Sequence, residues 1–415
     1  MAIGNPQPKG FRMSDQRSRS TRPAGIARHG RLKTPNPVLA VLKFLGVGLA
    51  VIAVSATSIV AIETTRTLAS ATTFDLPDAT QGPPPDIAAM EGGFNILIVG
   101  SDRGEDAESI KDRGHAELND VTMILHVSGD HTRAVAVSIP RDMVVPIPSC
   151  PKEDGSGSYA RMSGQPINVT LSYGGIACTV LTVQELTGLH IDFAGLITFQ
   201  GVIEMSTAVG GVPVCLAEGI KDKYSGFNFP AGTHVLSGWD ALAFLRSRHS
   251  VGDGSDLTRI SSQQVFLSSL VRTLKSEDTL NDLPKLYSIA QAAISNMELS
   301  SNFGNADTLI AIARALSTLE LENVTFVQYP GTTGGTGIYS GKVKPTTAVA
   351  NQVFAKILAD EPFALAADGD GRGSIVDPNA TPLPGATVDP DAPAVEVIAG
   401  VKGQTAAAQT CSVGR

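Results

Sequence analysis

Three short runs of apolar residues limit what this chain can fold into more than any other feature. Phe94-Asn-Ile-Leu-Ile-Val-Gly100, Val121-Thr-Met-Ile-Leu-His-Val127 and Arg133-Ala-Val-Ala-Val-Ser-Ile139 are close to continuous in apolar character. A run of this kind, too short for a core helix, fits a strand covered on both faces. Gly129-Asp130-His131 is hairpin chemistry and predicts that the second and third strands are antiparallel neighbours. Further on, apolar spacing predicts helices over 178–186, 192–209, 237–245, 259–274, 284–297, 306–319 and 346–359. Val212-Pro-Val-Cys-Leu216 reads as an edge strand, because Pro213 has no N–H for a ladder, and Val324–Tyr329 as a late strand. Strands alternating with helices predict a layered α/β/α domain around a central mixed sheet, spanning 93–360 with its core at 94–275. At 42% hydrophobic and 17% charged residues, the 415-residue chain has ample material for that core.

The flanks differ from the body. Residues 1–36 are basic and without apolar periodicity, and read as a disordered tail. Phe44–Ile62 is nineteen residues without a charge, about the length that crosses a ~30 Å hydrocarbon core. Nine Lys/Arg precede it against Asp15 alone, so a transmembrane helix over 37–62 would keep the N-terminus cytoplasmic and place the body outside the cell. A cleaved signal peptide is the other reading, because Ser55-Ala56-Thr57-Ser58 is small enough for cleavage. Residues 63–92, with Gln81-Gly-Pro-Pro-Pro-Asp86, read as an extended linker. Residues 361–415 are rich in Gly, Pro, Asp and Ala and read as a disordered tail. Asp368-Gly-Asp-Gly-Arg-Gly373 imitates a calcium loop, but Arg372 and Asn379 stand where ligands belong. The acidic body argues against nucleic-acid binding. An exported body allows disulfides; of the three pairings of Cys150, Cys178, Cys215 and Cys411, Cys150–Cys178 is favoured by its position across one loop.

Chemistry concentrates in two places. Leu242-Ala-Phe-Leu-Arg-Ser-Arg-His249 leads into Asp256-Leu-Thr-Arg259 and Gln263-Gln264. Arg246 and Arg248 share a face if extended, and Arg259 and Gln263 share one on a helix. A fork of planar guanidinium groups recognises phosphate; the alternative is a set of surface salt bridges. Asp102, Asp120 and Asp142 fall at the ends of the first three strands, with Arg141 among them. Antiparallel pairing of strands one and two would bring Asp102 beside Asp120, a pair that repels unless a cation bridges it. Each aspartate alone is as well read as a turn residue.

Ile96-Leu-Ile-Val-Gly-Ser-Asp102, Asn119-Asp120-Val-Thr-Met, Ser138-Ile-Pro-Arg-Asp142, Ile167-Asn168, Tyr173-Gly-Gly175, Leu186-Thr-Gly188, Leu245-Arg-Ser-Arg248 and Asp256-Leu-Thr-Arg259 with Gln263-Gln264 resemble, in order and spacing, the LytR-CpsA-Psr (LCP) family. The Ala-, Gly- and Pro-rich tails resemble those of actinobacterial proteins. The resemblance implies a membrane-anchored phosphotransferase that moves a glycopolymer from a polyprenyl-pyrophosphate carrier onto peptidoglycan. It implies Mg2+, with Mn2+ as the alternative, on Asp102 and Asp120. It places Arg141, Arg246, Arg248, Arg259 and Gln263 on the pyrophosphate, with Arg141, Asp142, Arg246 and Arg248 as the catalytic set. Helices 193–209 and 260–274 would line a groove for the lipid. Two basic positions of the family pattern are absent, at Leu118 and near Pro166, and Arg103, Arg113, Lys152 and Arg161 are the candidate replacements. Hydrolysis of the same pyrophosphate, or binding of prenyl phosphates without catalysis, are the alternative functions.

Overall fold

The computed structural model describes residues 72–77, 93–102, 117–276, 283–304, 306–380 and 395–415. The basic tail, the expected span over 37–62 and most of the linker lie outside the described residues. Among the described residues no helix is long and apolar enough to cross a membrane.

The principal strands, in chain order, are β1 (Thr72–Phe74), β2 (Phe94–Ser101), β3 (Asn119–Val127), β4 (Ala134–Ile139), β5 (Phe193–Ile197), β6 (Val212–Leu216), β7 (Gly232–Leu236), β8 (Met297–Ser300), β9 (Val324–Gln328), β10 (Ser374–Val376), β11 (Lys402–Thr405) and β12 (Thr410–Ser412). The principal helices are α1 (Thr170–Thr187), α2 (Phe199–Val209), α3 (Gly238–Arg246), α4 (Asp256–Ser276), α5 (Leu283–Asn296), α6 (Ala306–Ser317) and α7 (Thr347–Leu358). Eight strands form one central sheet in the order β1-β8-β5-β2-β3-β4-β9-β11. It is mixed: β2–β3 and β3–β4 are antiparallel, β2–β5 and β4–β9 parallel.

Strand alternation divides the core into two layers. Leu97, Val99, Ile124, Val137 and Ile139 face Val180 and Val183 of α1 and Val353 and Ile357 of α7. Phe94, Ile96, Ala134, Ala136 and Phe326 face the other way, toward Ile294 of α5 and Ile312 of α6. Each such valine, leucine, isoleucine or phenylalanine contributes about 1.5–3 kcal/mol when fully buried. The expected α/β/α layering and the β3–β4 hairpin are both present; Asp130 tightens the hairpin turn by accepting from Ser128 Oγ and Thr132 N. A second sheet, in the order β7-β6-β12-β10, packs its inner face with α3 and α4 around Val212, Val214, Leu236, Phe244 and Phe266.

Four expectations are corrected. The helix expected over 192–209 begins late: Phe193–Ile197 is β5, parallel to β2, and Thr198 caps α2 by accepting from Gly201 N. Phe-Ala-Gly-Leu-Ile is buried on both faces, and periodicity does not separate such a run from a core helix. Arg246 is not on a strand; it ends α3, and Arg248 follows in the loop. β6 is not an edge strand, since β7 and β12 flank it. Pro213 is tolerated because β12 pairs with Cys215 and Leu216 alone. Most of the tail expected to be disordered is folded: β11 pairs with β9, and β12 is tied to β6 by a Cys215–Cys411 disulfide. Its Asp/Gly repeats are turns, with Asp370 Oδ1 accepting from the N–H groups of Arg372, Gly373 and Ser374. Cys150–Cys178 is the other disulfide. The Gly174-Gly175 break in α1 makes room for it, since a Cβ on Gly174 would meet Pro151 O at 2.5 Å.

Candidate active site

The end of β2, the start of β3 and the end of β4 meet at one edge of the central sheet. In the β2–β3 ladder Gly100 lies opposite Val121 and Ser101 opposite Asn119, which leaves Asp120 as the extra residue of a bulge. A bulge turns one side chain out of its regular alternation, and here Asp120 and Val121 border the same cavity. Gly100 permits the close approach, because a Cβ there would sit 3.0 Å from Val121 Cβ. Asp102, buried just beyond β2, accepts from Leu118 N at 3.1 Å. Asp120 thus borders the cavity, and Asp102, held by Leu118 N, does not.

Arginines and aspartates interleave around this edge. Arg141 Nη1 pairs with Asp120, and Arg141 N donates to Asp256 Oδ2 at 2.9 Å. Arg259, one turn into α4, reaches Asp256 at 2.7 Å and donates to Asp120 O at 2.8 Å. Asp142 receives Arg248 Nη1 at 3.9 Å and Lys342 Nζ at 3.2 Å. Burial acts to lower the pKa of Arg141, but Asp120, Asp256 and Asp142 outweigh it and the group is held charged. Ile167 N and Asn168 N donate to Met143 O and Arg141 O, so the Ile-Asn pair braces the backbone that carries Arg141 and Asp142.

The loop bearing Arg248 is fixed by Asp222, a residue that sequence reasoning missed. Its Oδ2 accepts from Arg248 N and His249 N, both at 3.1 Å, and its Oδ1 from Tyr224 N at 2.9 Å. Burial acts to raise the pKa of Asp222; the N–H donors of Tyr224, Arg248 and Ser225 outweigh it and hold the carboxyl below its usual value.

These polar groups close one end of a cavity of about 460 Å³. Asp120, Arg141, Arg246, Arg248, Arg259 and Gln263 line it there. Its floor is the sheet face carrying Ile98, Met123 and Ile197. Its walls are α2, with Phe199, Val202 and Met205, and α4, with Phe266, Leu267 and Leu270. The two helices expected to border an apolar groove therefore do so. Arg246 lies over the Phe199 ring, 4.3 Å from its centre, where the ring face attracts the cation.

Residues 53–355 match the LytR_cpsA_psr family. The chain belongs to this family. It is 33% identical over 293 residues to the cell wall biosynthesis protein LcpA of Corynebacterium glutamicum, a match covering 64% of this chain and 55% of that protein. It is 25% identical over 242 residues to the polyisoprenyl-teichoic acid–peptidoglycan teichoic acid transferase TagT of Bacillus subtilis, covering 57% and 69%. The chain thus spans about half the length of its Corynebacterium relative. The crystal structure of B. subtilis TagV shares the fold, with a TM-score of 0.51 at 21% identity over 66% of this chain and 99% of that one.

In this LytR_cpsA_psr member the four arginines assigned to the pyrophosphate, Arg141, Arg246, Arg248 and Arg259, all border the cavity. Gln263 also does, although its Nε2 donates to Leu245 O at 3.1 Å. Two proposed replacements for the absent basic positions are occupied elsewhere: Arg161 pairs with Glu185, and Lys152 lies over the Tyr159 ring. Arg103 and Arg113 lie outside the described residues. Lys342 is the cation that does arrive. Val343 N donates to Asp142 O and Val144 N to Val343 O, which brings Lys342 alongside Asp142. Two hundred residues separate the pair, and no local pattern signals such a contact. Among the described residues, three potential metal-binding side chains converge only at Cys215, Asp377 and Cys411, whose cysteines form a disulfide.

Proposed function

We propose that this protein transfers a glycopolymer from a polyprenyl-pyrophosphate carrier to peptidoglycan, forming a phosphodiester. One observation carries the reading: a guanidinium–carboxylate cluster closes the end of an apolar cavity. That is the shape of a ligand with a diphosphate head and a hydrocarbon tail. The name of the B. subtilis relative, a polyisoprenyl-teichoic acid–peptidoglycan transferase, supports the same substrate class. The nineteen-residue uncharged run at Phe44–Ile62 would anchor the chain in the cell membrane, N-terminus inside and this domain outside.

Phosphoryl transfer depends on positioning and charge neutralisation more than on covalent help from the protein. Arg141, Arg246, Arg248 and Arg259 would hold the diphosphate and stabilise charge as it builds up. The acceptor hydroxyl oxygen forms a new bond to the glycan-side phosphorus as the bridging P–O bond breaks. Polyprenyl phosphate leaves with the bond's electrons, and the acceptor's proton passes to a carboxylate of the cluster. Asp142, held between Arg248 and Lys342, keeps Arg248 in place. Asp102 and Asp120, at the paired ends of β2 and β3, are hard oxygen donors of the kind Mg2+ or Mn2+ takes; they would hold the ion, which would neutralise diphosphate oxygens when bound.

The test is product analysis with purified protein, a polyprenyl-pyrophosphate donor and peptidoglycan. Asp120→Ala and Arg248→Ala should each lower transfer at least a hundredfold, in the range that loss of a charge-stabilising donor gives. Near-normal turnover in either variant removes the assignment. Free glycan phosphate as the sole product, with acceptor present, makes the protein a hydrolase.

A further inference from the structure

The cavity has a direction. Phe199 at the start of α2, Arg246 at the end of α3 and Arg259 near the start of α4 mark its polar end. Val209, Leu242 and Leu270, further along the same helices, line it away from that end. Arg259 to Leu270 spans about 16 Å at the helical rise per residue. At ~30 Å³ for a water-sized group, the cavity holds on the order of fifteen carbon-sized groups, or about three isoprene units. A longer polyprenyl chain must therefore extend beyond the cavity, and with its diphosphate at the polar end it points toward the apolar end.

The surface at that end is unusual. Gly238 N donates to Ser206 Oγ at 2.9 Å, which holds the start of α3 against the last turns of α2. Val235, at the end of β7, approaches the same junction: a Cβ on Gly211 would lie 2.7 Å from its Cγ1. Val235 is nevertheless 67% exposed, and Trp239, four residues on, is 61% exposed. Trp239 is the only tryptophan in the chain. Isolated apolar residues on a surface mean little. A large exposed aromatic and an exposed valine at one α2–α3 junction, at the end toward which the hydrocarbon chain points, are a different case, because tryptophan favours the boundary between headgroups and acyl chains.

We propose that Val235 and Trp239 dock this end of the protein on a lipid bilayer, so that the polyprenyl chain passes from bilayer to cavity without crossing water. The inference rests on the donor named above. Glu204 and Asp240, exposed on the same two helices, give anionic lipid no attraction, so the contact is apolar and insensitive to salt.

The single tryptophan is its own probe. In the full chain reconstituted into phosphatidylcholine vesicles, lipids brominated on the acyl chains should quench its emission by at least half, equally at low and high salt. Emission that ignores bromolipid and is quenched by aqueous iodide overturns the proposal. So does a blue shift that appears without lipid and grows with protein concentration, which marks self-association. A second arm uses Trp239→Ser in the same vesicles. Its KM for a long-chain donor should rise roughly tenfold, a change of ~1.4 kcal/mol, while that for a water-soluble donor with one isoprene unit is unchanged. An equal KM change for both donors also overturns it. Bromolipid quenching with no turnover of either donor by wild type would sink the enzymatic reading and leave the docking standing.

Discussion

Burial divides the arginines of this site into two kinds. The Arg259 side chain is 7% exposed and its partner Asp256 2%, whereas Arg248 is 26% exposed. Removing one partner of a buried pair strands a charge and costs about 3–5 kcal/mol. A half-buried arginine such as Arg248, whose guanidinium lies 3.9 Å from the Asp142 carboxylate, contributes far less to folding. Arg259→Ala should therefore lower the melting temperature sharply, and Arg248→Ala should leave it nearly unchanged while transfer is lost. Calorimetry of the two variants checks this; equal melting temperatures would show that Arg259 is not a structural member of the cluster. Asp222 adds a pH dependence. Its folded pKa is depressed, so its stabilisation is complete above the unfolded value of ~3.9 and fades as pH falls through the folded value. The Arg248 loop should hold through mildly acidic pH. Asp222→Ala should remove that acid-side dependence from a series of melting curves, and an unchanged profile would refute it.

Among the secondary-structure elements, the bulge at Asp120 matters most. Gly100 and Val121 touch across it, so Gly100→Val should push the strands apart and fill the cavity floor. Overpacking of this kind costs about 1–3 kcal/mol. Transfer should fall further than stability, since Asp120 is displaced. A variant that is destabilised yet normally active would mean that the bulge does not aim Asp120. These strands were legible in sequence because their buried runs are short, apolar and bounded by turns. The strand ends followed from them, and with them the pairing of the end of β2 with the start of β3. Phe193–Ile197 was not legible as a strand, because an apolar run buried on both faces looks the same in a helix. Lys342 and Asp222 were not legible either. Each reaches the site through a tertiary contact, and a lone Lys or Asp in a loop carries no periodic signal. The Asp/Gly-rich segment after Ala366 has the composition of a disordered tail, but its Asp370 turn and its cysteine give it fixed partners.

Across the whole molecule, the C-terminal strands close over the site's own loop. Gly252 N donates to Val413 O at 3.1 Å, and Val251 bridges Gly414, so the segment between Arg248 and Asp256 is held by residues more than 150 positions later. The Cys215–Cys411 disulfide anchors that arrangement across a sequence separation of 196, against 28 for Cys150–Cys178. Loop-closure entropy predicts that the longer bridge stabilises by about 5 kcal/mol and the shorter by about 3.5 kcal/mol. The Cys215→Ser/Cys411→Ser double variant should thus lose more stability than the Cys150→Ser/Cys178→Ser double variant in denaturant titrations. It should also differ in kind. With β12 loosened, the Arg248 loop loses its brace, and turnover should fall at temperatures where the variant is still folded. The Cys150–Cys178 bridge holds the loop after β4 against α1, away from Arg248, so its loss should lower stability without a matching loss of rate. Equal rate losses in the two folded variants would mean that the C-terminal strands stabilise the domain as a whole and do not position Arg248.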